Sequence, residues 1–144
     1  MLAGYSQTPL AKKLGIKNGQ KTWRVGMPAS VERAIADYGV SPKVLHAPVA
    51  GVEMVHLFVT QRLDLVKHLA EIKPLLAPDG VIWISWPKKS AGCQTDLSVD
   101  AIRAQALPLD LVDVKVCAVD EIWSGLKFVI RKSKRAARPK QQAS

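Results

Sequence analysis

The sequence predicts an α/β fold: a mostly parallel sheet between two layers of helix, closed by a C-terminal antiparallel hairpin strand. Three patterns carry this expectation. Residues 53–59 (EMVHLFV) and 81–86 (VIWISW) are apolar without alternation, as strands buried on both faces must be. Between them, residues 62–76 repeat apolar side chains at helical spacing, with Leu65, Leu69 and Ile72 as the stripe and Leu63, Val66 and Leu76 widening it. Strand, helix, strand in that order builds a parallel pair, because a parallel crossover needs a dozen or more residues. Last, two apolar stretches, 111–119 and 126–131, are separated only by the hairpin-length link DEIWSG.

The remaining elements follow in chain order. Thr8-Pro9 before LAKKL and Gly15 predicts a short helix, with Thr8 as cap, Pro9 in the first turn and Gly15 as its left-handed stop. Asn18-Gly19 marks a turn, and residues 22–25 a first strand ending at Gly26. Ser30 opens a helix that stops at Gly39, with Glu32 placed to favour its dipole. Residues 43–46 form at most a short edge strand, because residues 47–52 are too few for a crossover helix. Pro78-Asp79-Gly80 predicts a turn into the buried strand 81–86. A loop then leads to a helix near residues 98–107, ended by Pro108.

A length of 144 residues suits one core. We expect one domain over residues 1–132 and a basic, disordered tail over 133–144. Six of the 21 basic residues lie within 131–144, leaving 15 against 12 acids in the body. The net charge of +9 is therefore mostly a property of that end, which can bind polyanions weakly and without specificity or simply be solvated. No apolar run is long enough to span a bilayer, and no secretory leader is visible at the N-terminus. Two cysteines, Cys93 and Cys117, give neither a disulfide framework nor a metal spacing, so a reducing cytoplasm is expected.

The order of elements, with the apolar strand after Gly80 and the terminal hairpin, resembles class I S-adenosylmethionine-dependent methyltransferases. More closely, the blocks GYSQTPLAKKLG, WPKKSAG and KVCAVDEIWSGLKFVIRK resemble a small bacterial family classed as a domain of unknown function. The resemblance implies a three-layer Rossmann-like fold with a truncated methyltransferase-like sheet, and no particular activity. Two departures bear on the cofactor. Methyltransferases of this class carry a glycine-rich turn after the first strand, where this chain has VGMPAS at 25–30, and an acid after the second, where it has Leu45-His46-Ala47-Pro48. No cofactor is therefore expected, S-adenosylmethionine included.

In open α/β sheets the ligand crevice lies beyond the carboxyl ends of the strands. That places Trp86, Lys88 and Lys89 at the crevice, and the closing hairpin should return Asp120, Glu121 and Trp123 to the same end. Two lysines, two acids and two indoles can bind an anionic small molecule by charge and stacking, or form a salt-bridged rim over a tryptophan core. Ser30 at a helix start and Arg62 beyond the second buried strand are further anion contacts, each with capping or solvation as its plain role. His46, His56 and His68 are too scattered for a ligand set, and His56 reads as a hydrogen-bonded core residue. Neither a nucleophile elbow nor a phosphate-binding loop is present. Three readings stand: a non-catalytic domain binding a small anionic ligand or a protein partner, a divergent methyltransferase or other small-molecule enzyme, and a nucleic-acid-associated protein using its tail.

Overall fold

The computed structural model describes residues 8–135. Six strands form one sheet: β1 (Lys21–Val25), β2 (Lys43–Val44), β3 (Val52–Phe58), β4 (Leu76–Pro87), β5 (Leu111–Ala118) and β6 (Trp123–Ile130). Their order is β2-β1-β3-β4-β6-β5. The pairings β1–β2, β1–β3 and β3–β4 are parallel, whereas β6 runs antiparallel to both β4 and β5. The mostly parallel sheet with one reversed hairpin strand is the expected architecture.

Helices α1 (Leu10–Leu14) and α2 (Ala29–Asp37) cover one face, and α3 (Arg62–Ile72) and α4 (Val99–Ala106) the other. On the α3–α4 face, Leu65, Leu69, Ile72 and Ile102 pack against Val55, Leu57, Ile82, Ile84 and Phe128, all fully buried. Each such side chain stabilises by roughly 1.5–3 kcal/mol through area removed from water. The opposite face centres on Trp83, whose indole N–H donates to the Leu14 carbonyl at 3.0 Å and so ties α1 to the sheet. Ser98 caps α4, its hydroxyl accepting from the Ala101 N–H.

Several boundaries move. Pro9, not Thr8, is the N-cap of α1, although Gly15 ends it in the left-handed conformation (φ +73°) as expected. Helix α3 stops at Ile72. Leu63 is 73% exposed and Val66 also faces solvent, so the stripe is narrower than predicted, and Leu76 belongs to β4. Pro78-Asp79-Gly80 does not turn the chain between elements but forms an irregularity within β4: Val52 pairs with Leu76 and Met54 already with Val81. Only glycine fits at its end, since a Cβ on Gly80 would lie 2.7 Å from Leu76 Cδ1 and 2.9 Å from the Ala77 carbonyl. Trp123, Ser124 and Gly125, expected in the hairpin link, are strand residues paired with β4. The expected edge strand at 43–46 shrinks to two residues. Beyond β6, Lys132–Lys134 make one 3-10 turn and Arg135 Nε donates to the Ile130 carbonyl. The described residues thus extend to Arg135, and the rest of the predicted tail lies outside them.

Candidate functional site

Strands β1, β3, β4 and β5 end at one edge of the sheet, where β6 begins. Pro87 pairs with Trp123, and the Lys88 N–H donates to the Ile122 carbonyl at 2.8 Å. Lys88, Lys89, Asp120, Glu121 and Trp123 therefore share that edge. Trp86 does not join them around one depression. It is one residue out of phase with Trp123, being paired with Ser124, so the two indoles emerge on opposite faces. Trp86 sits in the α3–α4 core, 8% exposed, whereas Trp123 meets Phe58 edge-on at 5.1 Å on the other face.

Asp120 is committed to the hairpin. Its Oδ1 accepts from the Ile122 and Trp123 N–H groups, both at 2.8 Å, an Asx-type turn. Ser30 is the second residue of α2 rather than its cap. Pro28 is the N-cap, with no side-chain cap bond, and its carbonyl accepts from Val31 and Glu32. Arg62 begins α3, and its N–H donates to Asp96 Oδ1 at 2.7 Å. Together with Thr95 Oγ1 donating to the Thr60 carbonyl, this ties the loop after β4 to the loop after β3. Between them lies a cleft of about 460 Å³ lined by Gln61, Cys93, Gln94, Thr95 and Asp96.

At the point where strand order reverses, between β1 and β3, the turn after β1 packs onto the sheet. Gly26 has φ +68°, and a Cβ there would lie 3.0 Å from the Phe58 carbonyl. The ring of Phe58 in turn stacks on His56 at 4.3 Å. β2 ends at Val44, and the Leu45 N–H donates to the Thr22 carbonyl. His46, Ala47 and Pro48 follow. The turn after β1 thus carries one glycine set against β3 and a proline at the start of the next helix.

Two features on the α1–α2 face escaped the sequence reading. The first is Arg24, beside His56 in the β1–β3 register. It lines a groove of about 390 Å³ between α2 and β2, its Nε is buried, and that nitrogen has no hydrogen-bond partner. Burial lowers the pKa of its guanidinium, with Glu32 opposing. His56 is fully buried, 2.7 Å from Ser85 Oγ through Nε2, and is pushed down to about 3 by burial and then by Arg24. It is a neutral core histidine. In the sequence Arg24 stands in a strand that also carries Lys21 and Thr22, so nothing local marked it as buried.

The second feature is a set of lysines over the hairpin. Lys115 stands directly opposite Lys127. Lys115 Nζ donates to the Lys13 carbonyl, and Lys13 Nζ to that of Ala118. Burial and then Lys115 and Lys17 depress the Lys127 ammonium. Burial raises the Cys117 thiol against the pull of Lys13 and Lys115, which favours its protonated form. Among the described residues no group of His, Cys, Asp and Glu could hold a metal ion, and no helix is long and apolar enough to cross a membrane.

Neither a family model nor a curated protein matches this sequence. Solved structures do share the fold. The chain is similar to an S-adenosylmethionine-dependent methyltransferase from Aquifex aeolicus, with 17% identity and a TM-score of 0.57 over 84% of this chain and 87% of that one. A ribosomal protein L11 methylase from Lactobacillus delbrueckii subsp. bulgaricus gives 10% identity and 0.55 over 85% and 75%. A putative type 11 methyltransferase from Sulfolobus solfataricus gives 14% and 0.52 over 81% and 74%. At such identities the likeness establishes a Rossmann-like, methyltransferase-like fold, and function has to be argued from the residues.

Proposed function

We propose that this chain is a methyltransferase-like α/β domain that works without S-adenosylmethionine, as a non-catalytic module binding a small anionic ligand. The turn after β1 is the observation that supports this reading most strongly. An adenosyl ligand in this fold rests against a glycine turn and the N–H groups of the following helix. Here the turn holds a single glycine, Gly26, where a Cβ would lie 3.0 Å from the Phe58 carbonyl, and Pro28 stands as the N-cap of α2. The missing acid after β2 removes the second anchor, since paired hydroxyl donors are best held by a carboxylate. The proposed contacts for the ligand are Lys88 and Lys89, with Glu121 and Trp123 at the same edge and Arg62 at the start of α3.

A divergent methyltransferase is the competing reading, favoured by the fold shared with solved methyltransferases. Isothermal titration calorimetry with S-adenosylmethionine and with its demethylated product decides between them. The expected result is no saturable heat and no rise in Tm at millimolar cofactor. Micromolar binding, or a Tm rise of several degrees by mass action, would establish the methyltransferase reading instead.

A further inference from the structure

We infer that the cleft beneath the loop from α1 to β1 binds a small zwitterion of the amino-acid class, its carboxylate held by Lys17 and Lys127 and its ammonium by Glu53. This site goes beyond the Lys88–Lys89 edge, does not depend on it, and lies toward the other end of the strands. Glu53 stands at the start of β3, whereas Lys88 follows the end of β4.

The sheet sets the spacing of the two charged ends. Lys127 on β6 pairs across β4 with Trp83, and β4 in turn lies beside β3, which carries Glu53. The strands bearing Lys127 and Glu53 are therefore two spacings apart, about 10 Å. Between them lies a cleft of about 350 Å³, with Leu14, Met54 and Val81 as its apolar surface and Asn18 and Gln20 in its loop wall. That volume is at the lower end of small-molecule sites, which suits an amino acid with a short side chain.

Charge selects the class. Lys17, Lys127, Glu53 and Asp79 all line the cleft, two charges of each sign. Neither lysine forms an ion pair with either acid among the described residues, whose ion pairs are those of His68 and Arg103. The positive end is crowded: burial, then Lys115 and then Lys17 depress the half-buried Lys127 ammonium. Lys115 itself is occupied by the Lys13 carbonyl. An incoming carboxylate relieves that repulsion. At the negative end, Glu53 Oε1 accepts from the Lys21 N–H at 2.9 Å, which orients the carboxylate and leaves Oε2 to accept from an ammonium. Asp79 has a partner of its own, so the ammonium contact is assigned to Glu53. A simple anion would meet the acids and a simple cation the lysines, whereas a ligand carrying both charges satisfies both ends.

Amide resonances of the full chain, followed during titration with L-alanine, propionate and ethylammonium, test this. L-Alanine should give saturable shifts at Gly15, Asn18, Gly19 and Glu53 with a millimolar Kd. Propionate and ethylammonium, each carrying one of its two charges, should bind at least about fivefold more weakly. Lys127→Met, which keeps the stem beside Trp83, and Lys17→Met, in the exposed loop, should each weaken L-alanine about threefold or more. Glu53→Gln retains an oxygen for the Lys21 N–H and should weaken L-alanine about fivefold while leaving propionate unchanged or tighter. Propionate binding as well as L-alanine would make this a plain anion site and overturn the inference, and ethylammonium binding as well would do so with the opposite sign. No saturation by about 50 mM, parental L-alanine affinity in Glu53→Gln or in both lysine variants, or shifts centred on Lys88 and Lys89 would overturn it too.

Discussion

The two faces of the sheet use the same strands and differ in chemistry. The core that α3 and α4 form with the sheet joins eighteen buried apolar residues. The face under α1 and α2 has half as many buried apolar residues. It also holds Thr22, His56 and Ser85, the buried polar side chains among the described residues, along with the groove at Arg24 and the lysines over the hairpin. One cause is helix length. α1 has five residues and α2 nine, and no helix follows β2, so this face is covered only in part. Partial cover leaves clefts, and clefts lined by polar groups are where ligands bind. The two faces thus differ in how fully they are covered and in where polar side chains are buried.

Neighbouring residues of β4 test that division with the largest effect. Trp83 points to the open face and Ile84 to the closed one, both fully buried. Trp83→Ala should cost about 4 kcal/mol, because it removes a large side chain and leaves the Leu14 carbonyl without its donor, while Ile84→Ala should cost about 3 kcal/mol. Denaturant midpoints measure both. A negligible loss at Trp83 would mean that α1 docks without it.

Acid should act through the open face. The folded pKa of His56, about 3, lies below the ordinary 6.5, so on acidification the unfolded chain takes up this proton first. Its contribution is complete above about pH 6.5 and is lost as pH falls toward 3, amounting to about 3 kcal/mol by about pH 4. His56→Gln should flatten that part of the stability–pH curve relative to the parent. An unchanged slope would place the acid sensitivity elsewhere.

Smaller effects sharpen the picture. Lys115→Glu replaces a like-charged cross-strand pair with an opposite one facing Lys127. It should stabilise by about 0.5 kcal/mol, and less in high salt. Leu63→Ser, on the solvent side of α3 at 73% exposure, should leave the midpoint within about 0.5 kcal/mol of the parent. A larger loss would show that this side of α3 is covered in solution.

Strand and helix were legible wherever one periodicity dominated. Residues 53–59 and 81–86 read as buried strands because few polar residues broke a face: Glu53 lies exposed at the start of β3, and His56 and Ser85 satisfy one another across strands. The carboxyl edge was legible too, since parallel strands share it. The joint placement of Trp86 and Trp123 was not, because it depends on phase. The hairpin pairs Trp123 with Pro87, and a register one residue different would have put both indoles on one face. Arg24 and Lys127 were missed for a related reason. Each is an ordinary surface-type residue in the sequence, and its burial arises only when α2 or the opposing strand comes to lie beside it.

By itself, then, the sequence determined the alternation of elements and the parallel sheet with its reversed last strand. These are local patterns of hydrophobicity and backbone preference, which act before any distant contact forms. Only the tertiary structure decided which face each functional side chain occupies, that Asp120 is used up in a turn, and that Lys127 comes to line a cleft with Glu53. Those outcomes depend on strand register and on which helices cover which strands, and both are fixed by packing between residues far apart in the chain.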